Sequence, residues 1–355
     1  MVKTKPFIIL SNVSANYGEV EALKNLSLEI PSQRITVLIG PSGCGKSTTL
    51  RCLNGLVKPS AGTISYEDQA IKGLSETALR RKMGYVIQSV GLMPHLSVEE
   101  NIDLVPKLLG YPRSSRRERV ERLLNLVRLD PAVYLKKYPH ELSGGEAQRI
   151  GVARALGGDP PLLLMDEPFG AVDPLVREQL QGEFIRIHRK LKKTVIFVTH
   201  DIDEALRLAD YLVVMNAGEV VQAAEPEKIL AEPKNEFVDK FLGPNRALKR
   251  LTLFTADRWM EEALIGKETF TKEYPGCYWE TDQEGHPLRA SGWVEGRFIE
   301  REIDTDAHTV QKYSSLRECI SKILTLGLPA TAVVDERGVL CGEVRFATIQ
   351  KVSRS

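Results

Sequence analysis

The sequence lacks a hydrophobic run long enough to cross a lipid bilayer. A spanning helix needs roughly 18 consecutive apolar residues, and no uncharged stretch of the 355-residue chain approaches that length. One of the longest uncharged runs, Ile323 to Val334, is interrupted by Gly327 and Pro329. The apolar patch near the start is too short for a secretory signal. We therefore expect a cytosolic chain that works at a membrane only if other subunits supply the spanning part.

The chain also lacks an excess of either charge. Lys and Arg total 48 against 47 for Asp and Glu, which gives a formal net charge of +1. Proteins that hold nucleic acid through bulk positive charge have a clear basic excess. The balance therefore argues against a nucleic-acid partner.

Cysteines are few, and none has CxxC spacing. The odd total of five predicts reduced thiols. We expect them to pack as small apolar side chains. They are Cys44, Cys52, Cys277, Cys319 and Cys341.

What the chain does contain is an alternation of strand and helix patterns. The β-branched run Ile35–Ile39 ends in the glycine loop Gly40–Gly45, and a helical pattern follows from Ser47 to Leu56. Two further strand patterns, Leu162–Met165 and Thr194–Thr199, flank a helical pattern. Strands joined by a helix predict a parallel α/β sheet.

Two changes of pattern predict the domain organisation. From about residue 89 to residue 160, heptad-like leucines among many charges predict a helical insert. Three prolines then precede a region that contains all three tryptophans. We expect one domain over residues 1–243 and a second over residues 244–355.

The glycine loop fits the phosphate-loop pattern G-x-x-x-x-G-K-[ST] at every fixed position. Glycines permit positive φ, so successive backbone N–H groups can surround phosphate oxygens, and the next helix points its positive end at the same anion. Lys46 would reach the β- and γ-phosphates, and the Ser47 hydroxyl would ligate Mg²⁺. The loop consists of Gly40, Pro41, Ser42, Gly43, Cys44, Gly45, Lys46 and Ser47.

Two adjacent carboxylates follow the apolar strand Leu162–Met165. A buried strand delivers Asp166 to the sheet edge where ligands bind, so we expect Asp166 to hold the Mg²⁺ shell. Glu167 would point to the other side and accept a proton from the attacking water.

A second motif narrows the class of nucleotide hydrolase to which the chain could belong. The segment Leu142-Ser143-Gly144-Gly145-Glu146, followed by Gln148-Arg149, resembles the signature of the ATP-binding-cassette (ABC) family, which usually has Gln where this chain has Glu146. Four other family elements are similar in the expected order. They are the adenine-stacking aromatic at Tyr17, the Mg²⁺-contacting and partner-sensing glutamine at Gln88, the D-loop at Ala171-Val172-Asp173, and the switch histidine at His200.

The resemblance, over about residues 7–242, implies both the fold and the site. The fold would be a P-loop cassette with a mixed sheet core and a helical signature subdomain, followed by a smaller α+β domain. The catalytic residues would be Glu167, His200 and Lys46, and the Mg²⁺ ligands Ser47, Gln88 and Asp166. ATP would be bound by Tyr17, Gly40, Pro41, Ser42, Gly43, Cys44, Gly45, Lys46, Ser47, Thr48 and Gln88, and in trans by Ser143, Gly144 and Gly145.

The resemblance also implies partners. The in-trans contact requires a head-to-tail homodimer, in which a partner copy closes the site against water. The segments LLLMDEPFGAVDPLVREQLQ and HRKLKKTVIFVTHDIDEA look most like importers of glycine betaine and choline. Such a chain would lie on the cytoplasmic face of the membrane beneath two permease subunits, with an extracytoplasmic substrate-binding protein delivering the solute.

Alternatives remain for the solute and for the class. The substrate does not touch this subunit, so a polyamine, sugar or sulfonate importer stays open. A soluble ABC ATPase of translation or DNA repair usually has two cassettes or a long coiled-coil insert, whereas this chain has one phosphate loop. A regulatory ATP binder without catalysis would not need Glu167 and His200.

The last domain has its own pattern. A helical stretch, Ser315–Leu326, precedes the strands Thr331–Val334 and Val339–Val344. This order resembles one cystathionine-β-synthase (CBS) repeat, and a strongly divergent first half would contain a hairpin over Trp279–Arg297. The competing interpretation is a small β-barrel of the type attached to sugar and polyamine importers. We expect a degenerate CBS pair that tunes hydrolysis in response to ionic strength or a nucleotide.

Overall fold

The computed structural model describes residues 6–67, 69–70, 75–87, 91–170, 172–266 and 274–354. The chain divides into two compact units. The first comprises residues 1–229 and 234–241, and the second comprises residues 230–233 and 242–355. No helix in the described ranges is both long and apolar enough to traverse a bilayer.

The first part of the chain alternates strands and helices. Its strands are β1 (Pro6–Tyr17), β2 (Val20–Pro31), β3 (Ile35–Ile39), β4 (Ala61–Tyr66), β5 (Gln69–Ala70), β6 (Met83–Val86), β7 (Leu162–Asp166), β8 (Thr194–Val198), β9 (Tyr211–Asn216) and β10 (Glu219–Ala224). Its helices are α1 (Lys46–Leu53), α2 (Glu76–Arg81), α3 (Val98–Leu108), α4 (Arg113–Leu126), α5 (Pro131–Tyr134), α6 (Gly144–Ala155), α7 (Pro174–Leu191), α8 (Ile202–Leu208), α9 (Pro226–Ala231) and α10 (Glu236–Leu242).

A six-stranded sheet in the order β10-β9-β3-β8-β7-β6 forms the centre of this unit. All of its neighbouring pairs are parallel except β9–β10, which is an antiparallel hairpin. Every residue of β3 and β8 is buried, as expected for parallel strands covered on both faces. The carboxyl ends of β3, β7 and β8 therefore meet at one edge, where ligands bind in sheets of this type.

A second, antiparallel sheet has the order β2-β1-β4-β5. Buried and exposed residues alternate along much of β2, which is typical of a strand with one face on the core. Between β6 and β7 the described residues form only helices and turns, including α3 to α6. The expected mixed sheet and helical insert are thus both present.

The second part of the chain is α+β, as predicted. Its helices are α11 (Arg246–Arg250), α12 (Ala256–Trp259), α13 (Thr305–His308), α14 (Leu316–Leu326) and α15 (Phe346–Arg354). Its strands are β11 (Leu264–Ile265), β12 (Tyr278–Thr281), β13 (Pro287–Val294), β14 (Arg297–Glu302), β15 (Val310–Gln311), β16 (Ala330–Val334) and β17 (Leu340–Arg345).

These strands form two sheets, β11-β12-β13-β14 and β15-β16-β17. The hairpin predicted over Trp279–Arg297 corresponds to the antiparallel pair β12–β13, which is connected through Glu284 and Gly285. One apolar cluster joins α14 and α15 to β16 and β17, and a second surrounds the fully buried Trp279. From β15 onward the order is strand, helix, two antiparallel strands and helix. All five cysteines are free thiols, and only Cys341 is not fully buried.

Candidate functional site

The phosphate loop connects the buried strand β3 to α1, and two of its glycines are required by the space around them. Gly40 has φ 154°, and a Cβ there would lie 2.2 Å from the carbonyl oxygen of Met215. Gly45 has φ 104°, and a Cβ there would lie 2.8 Å from the carbonyl oxygen of Ala22. A side chain at either position would displace a neighbouring strand, so the loop's path depends on glycine.

Lys46 begins α1 and lies beneath the loop. Its Nζ donates to the carbonyl oxygens of Gly40, at 2.8 Å, and Pro41, at 3.0 Å. The side chain is buried, so its charge acts in surroundings where electrostatic effects are stronger than in water. The first N–H groups of α1 have no intrahelical partners, so they and the ammonium group form an anion-binding end.

Cys44 lies within the phosphate loop and was expected to pack as a small apolar side chain. Its thiol is buried, and burial raises its pKa despite the nearby Lys46 ammonium. The thiol therefore stays protonated and neutral, and the backbone carries the loop's role.

The expected Mg²⁺ ligands of α1 and β7 come together. The Ser47 hydroxyl donates to Asp166 Oδ1 over 2.9 Å. Burial raises the pKa of Asp166, and the hydrogen bond from Ser47 opposes this. A hydroxyl beside a half-buried carboxylate is an oxygen donor set that suits a small hard cation. The third expected ligand, Gln88, lies outside the described residues.

Glu167 follows Asp166 with a left-handed backbone, φ 45°, a conformation that is costly for a residue other than glycine. Its N–H donates to the carbonyl oxygen of Val198, 3.0 Å away, which fixes the turn against the end of β8. Its Oε2 lies 3.1 Å from His200 Nδ1. Two of the three expected catalytic side chains, Glu167 and His200, are therefore in direct contact at the sheet edge.

His200 is placed by the end of β8. The Thr199 N–H donates to the carbonyl oxygen of Leu38 at 3.3 Å, and the Asp201 N–H donates to Thr199 Oγ1 at 3.0 Å. Asp201 then caps α8. The His200 side chain remains 64% exposed, so it can meet a ligand at this edge.

Tyr17 ends β1 and is 45% exposed. Arg51, a residue that sequence reasoning missed, lies close enough to Tyr17 for the tyrosine hydroxyl to raise the pKa of the arginine. Arg51 also favours the ionised form of Asp166. The sequence could have indicated Arg51 as a site residue, because it lies four residues after Ser47 and residues four apart share a helix face.

The signature residues form the start of α6, in the helical insert. Ser143 is the N-cap, and its Oγ accepts from the Glu146 N–H at 3.3 Å. A Cβ on Gly144 would meet nothing within 4 Å, so the backbone there is open to an approaching group. Within the described ranges, no hydrogen bond or ion pair joins Ser143–Gly145 to Gly40–Ser47. The D-loop residue Asp173 caps α7 and accepts from the Val176 N–H at 3.1 Å, whereas Ala171 lies outside the described residues.

A phosphate loop, an acid pair at the end of a buried strand, and a histidine against the second acid define a P-loop nucleotide hydrolase. Residues 23–170 match the ABC transporter family. The chain is 41% identical to a glycine betaine/carnitine/choline transport ATP-binding protein (OpuCA) of Bacillus subtilis, over 96% of this chain and 94% of that protein. It is 51% identical to an osmoprotectant import ATP-binding protein (OsmV) of Salmonella typhimurium, over 67% of this chain and 62% of that one.

A solved structure supports the same family assignment. A dimeric, post-hydrolysis structure of the ATP-binding cassette MJ0796 with ADP and phosphate has a TM-score of 0.55 and 32% identity. The match covers 61% of this chain and 98% of that one. The chain belongs to the family of ABC transporter ATP-binding subunits and is an ATPase of that family.

Proposed function

We propose that this chain is the ATP-hydrolysing motor of an importer for quaternary-amine osmoprotectants such as glycine betaine or choline. The observation that carries the proposal is the 41% identity to a betaine/carnitine/choline transport ATPase over 96% of the chain, since that span includes the second unit as well as the cassette. The segments around Glu167 and His200 that resemble this importer group support it further.

In the proposed reaction, the loop amides and Lys46 bind the β- and γ-phosphates of ATP, with the adenine stacked on Tyr17. The buried ammonium group offsets negative charge that develops on the transferred phosphoryl group. Ser47 and Asp166 would hold Mg²⁺, which supplies charge neutralisation between the β- and γ-phosphates when it is bound.

Glu167 is proposed as the general base. A carboxylate at the sheet edge accepts a proton from water as the water attacks the γ-phosphorus. The contact between Glu167 Oε2 and His200 Nδ1, 3.1 Å apart, orients the base, while the exposed imidazole is available to the γ-phosphate.

We propose that two copies close head to tail, so that Ser143, Gly144 and Gly145 of one cover the phosphates in the other. The N-terminal end of α6 is an anion-binding element, and it lies on an insert separate from the phosphate loop. ATP would favour the closed dimer because its contacts to the second copy exist only there. This dimer would act on two permease subunits at the cytoplasmic face of the membrane, with an extracytoplasmic binding protein supplying the solute.

For the second unit we propose a degenerate CBS pair that adjusts hydrolysis to ionic strength or a nucleotide. The strand, helix, strand, strand, helix order of β15 to α15 supports a CBS-like second half, and packed α14 and α15 disfavour a pure β-barrel. Removing residues 246–355 should abolish the salt response of the assembled transporter and leave basal hydrolysis. A truncated complex that keeps its full salt response would contradict this role.

Transport itself is tested in cells that express the chain with its permeases and lack other osmoprotectant uptake. Uptake of labelled glycine betaine, choline and carnitine should depend on the wild-type chain and disappear with Lys46→Ala. Lys58→Ala is the matched control, because the Lys58 side chain is 87% exposed. If Lys46→Ala cells import these solutes at the wild-type rate, the proposed motor role is wrong. If the cells import only a different solute in an ATP-dependent way, the proposed substrate class is wrong.

A further inference from the structure

Glu146 is the signature residue at which this chain departs from its family's usual glutamine, and both of its carboxylate oxygens are engaged within the chain. Oε2 accepts the backbone N–H of Ser143 at 2.7 Å. Oε1 accepts the Tyr134 hydroxyl. The Tyr134 hydroxyl is the main cause that lowers the pKa of this carboxylate, and the Ser143 backbone N–H acts in the same direction.

The capping box by itself is ordinary. Ser97 with Glu100 and Ser315 with Glu318 form the same reciprocal pair at the starts of α3 and α14. In each, the serine accepts the backbone N–H of the glutamate while the glutamate accepts that of the serine. At the signature, the tyrosine hydroxyl is an added donor, and it comes from another helix.

Tyr134 is itself firmly placed. It ends α5, whose first turn is capped by Asp130. The next residues are tied to the start of α3, because Val98 N–H donates to Lys137 O at 2.8 Å and Glu99 N–H donates to Leu135 O at 3.0 Å. The hydroxyl that holds Glu146 therefore belongs to a segment anchored at a second helix.

This arrangement matters when Ser143 meets a phosphate. The serine hydroxyl would donate to the partner copy's nucleotide while its oxygen accepts the Glu146 N–H at 3.3 Å. A Glu146 carboxylate that was free to rotate could turn its negative charge toward that phosphate, and it would lose its bond to the Ser143 N–H, which helps to cap α6. Charge-assisted hydrogen bonds are stronger than neutral ones, so the Tyr134 hydroxyl is suited to keep the carboxylate in place.

We propose that the Tyr134–Glu146 pair is a positioning device that holds the signature turn, and with it the Ser143 hydroxyl, in register for the ATP bound by the other subunit. The inference rests on the proposed head-to-tail dimer. Neither residue touches the nucleotide in this scheme, and both act through Ser143.

The test uses the full-length chain with Glu167→Gln, which slows hydrolysis, and follows dimer formation against ATP concentration by sedimentation velocity. Adding Tyr134→Phe removes one hydroxyl and should raise the ATP concentration for half-maximal dimerisation about three- to tenfold. Binding of a fluorescent ATP analogue to the monomer's own phosphate loop should not change. Tyr111→Phe is the matched control, because Tyr111 lies in the same insert and its hydroxyl contacts Gly158 O at 3.5 Å.

Adding Glu146→Gln alone and together with Tyr134→Phe completes a double-mutant cycle. Glutamine keeps an acceptor oxygen but removes the charge, and phenylalanine removes the donor. Both changes therefore weaken the same charge-assisted bond, and their effects should be non-additive. Equal dimerisation by the Tyr134→Phe variant and its parent, or additive effects, would overturn the positioning role while leaving the dimer intact. A parent that forms no ATP-dependent dimer would instead refute the head-to-tail proposal and this inference with it.

Discussion

The Ser47 hydroxyl and the Asp166 carboxylate meet across 2.9 Å, although they are 119 residues apart in sequence. Ser47 lies in the first turn of α1 and Asp166 ends β7. The contact exists because parallel strands deliver their carboxyl ends to a single edge. Ser42 and Thr48, which we also expect to contact ATP, lie in the same loop and helix start. This edge is where a cation and a polyphosphate can be held together.

Replacing Asp166 with Asn should raise the Mg²⁺ concentration needed for half-maximal ATP hydrolysis and lower the maximal rate. The amide keeps a hydrogen bond to Ser47 but removes the negative charge that attracts a divalent cation. ATPase activity titrated with MgCl₂ at fixed ATP measures both effects. Asp159→Asn serves as control, because Asp159 is an exposed partner of Lys193. An unchanged Mg²⁺ titration would exclude Asp166 from the cation site.

Replacing Glu167 with Gln should reduce turnover by roughly 10² to 10⁴, the range expected for a lost general base. Glutamine preserves the shape and the hydrogen bond to His200 but cannot accept the proton. ATP should then accumulate unhydrolysed on a closed dimer, which gel filtration and nucleotide analysis would detect. The matched control is Glu178→Gln, at a side chain that is 72% exposed. Wild-type turnover in the Glu167→Gln protein would remove Glu167 from the base role.

Local sequence patterns predicted the sheet that carries the site. The β-branched run at Ile35–Ile39 is β3 with the same bounds, and the run from Thr194 is β8. The predicted helix Ser47–Leu56 is shorter, Lys46–Leu53, because Gly55 takes a left-handed φ of 70°. The edge strand β6 was not predicted, since Met83–Val86 is short and contains a glycine.

Contacts between distant side chains could not be predicted in the same way. Nothing in the local pattern places Tyr134 beside Glu146, or Arg51 beside Tyr17, because these depend on how separate elements pack. The buried polar network of the second unit is a similar case. The sequence pattern predicts Glu343 only as a residue of the strand Val339–Val344. Its carboxylate nevertheless accepts hydrogen bonds from residues 64 to 69 positions away.

That network predicts a large loss of stability on replacing Glu343 with Ala. Glu343 is fully buried and accepts the Tyr274 hydroxyl, the Cys277 N–H, the Trp279 Nε1–H and Arg345 Nε at 2.7 to 3.0 Å. Removing the acceptor leaves three donors without this partner and breaks one ion pair of Arg345, which keeps its second ion pair with Glu261. The expected cost is about 3–5 kcal/mol.

Urea unfolding followed by tryptophan fluorescence measures this change, because Trp279 is itself a partner of Glu343. Glu343→Gln, which keeps one acceptor oxygen, should lose less stability than Glu343→Ala. Glu302→Ala controls for removing an exposed carboxylate from the same unit, since its side chain is 87% exposed. A Glu343→Ala protein as stable as this control would show that the network contributes nothing to stability.

A pH dependence follows from the way His286 joins two turns of the second unit. Its Nδ1 lies 2.9 Å from Asp282 Oδ2 and its Nε2 lies 3.0 Å from the Arg337 carbonyl oxygen. Both partners are acceptors, so only the doubly protonated ring satisfies both contacts. The bond to Asp282 is the main cause that raises the pKa of His286, and the Arg337 carbonyl and Glu284 act in the same direction.

Because the folded-state pKa is raised, the stabilisation is fully present below the ordinary histidine pKa of about 6.5. It is lost as the pH rises through the folded-state pKa. Amide exchange in the turn from Asp335 to Val339, corrected for intrinsic rates, should therefore accelerate over that interval. His286→Gln should remove the pH dependence, whereas His308→Gln should retain it, because His308 Nδ1 accepts a backbone N–H from Asp304. The titration of His286 itself can be followed by NMR of its ring. Amide protection of the turn that stays constant across this titration would show that protonated His286 does not stabilise the contact between the two turns.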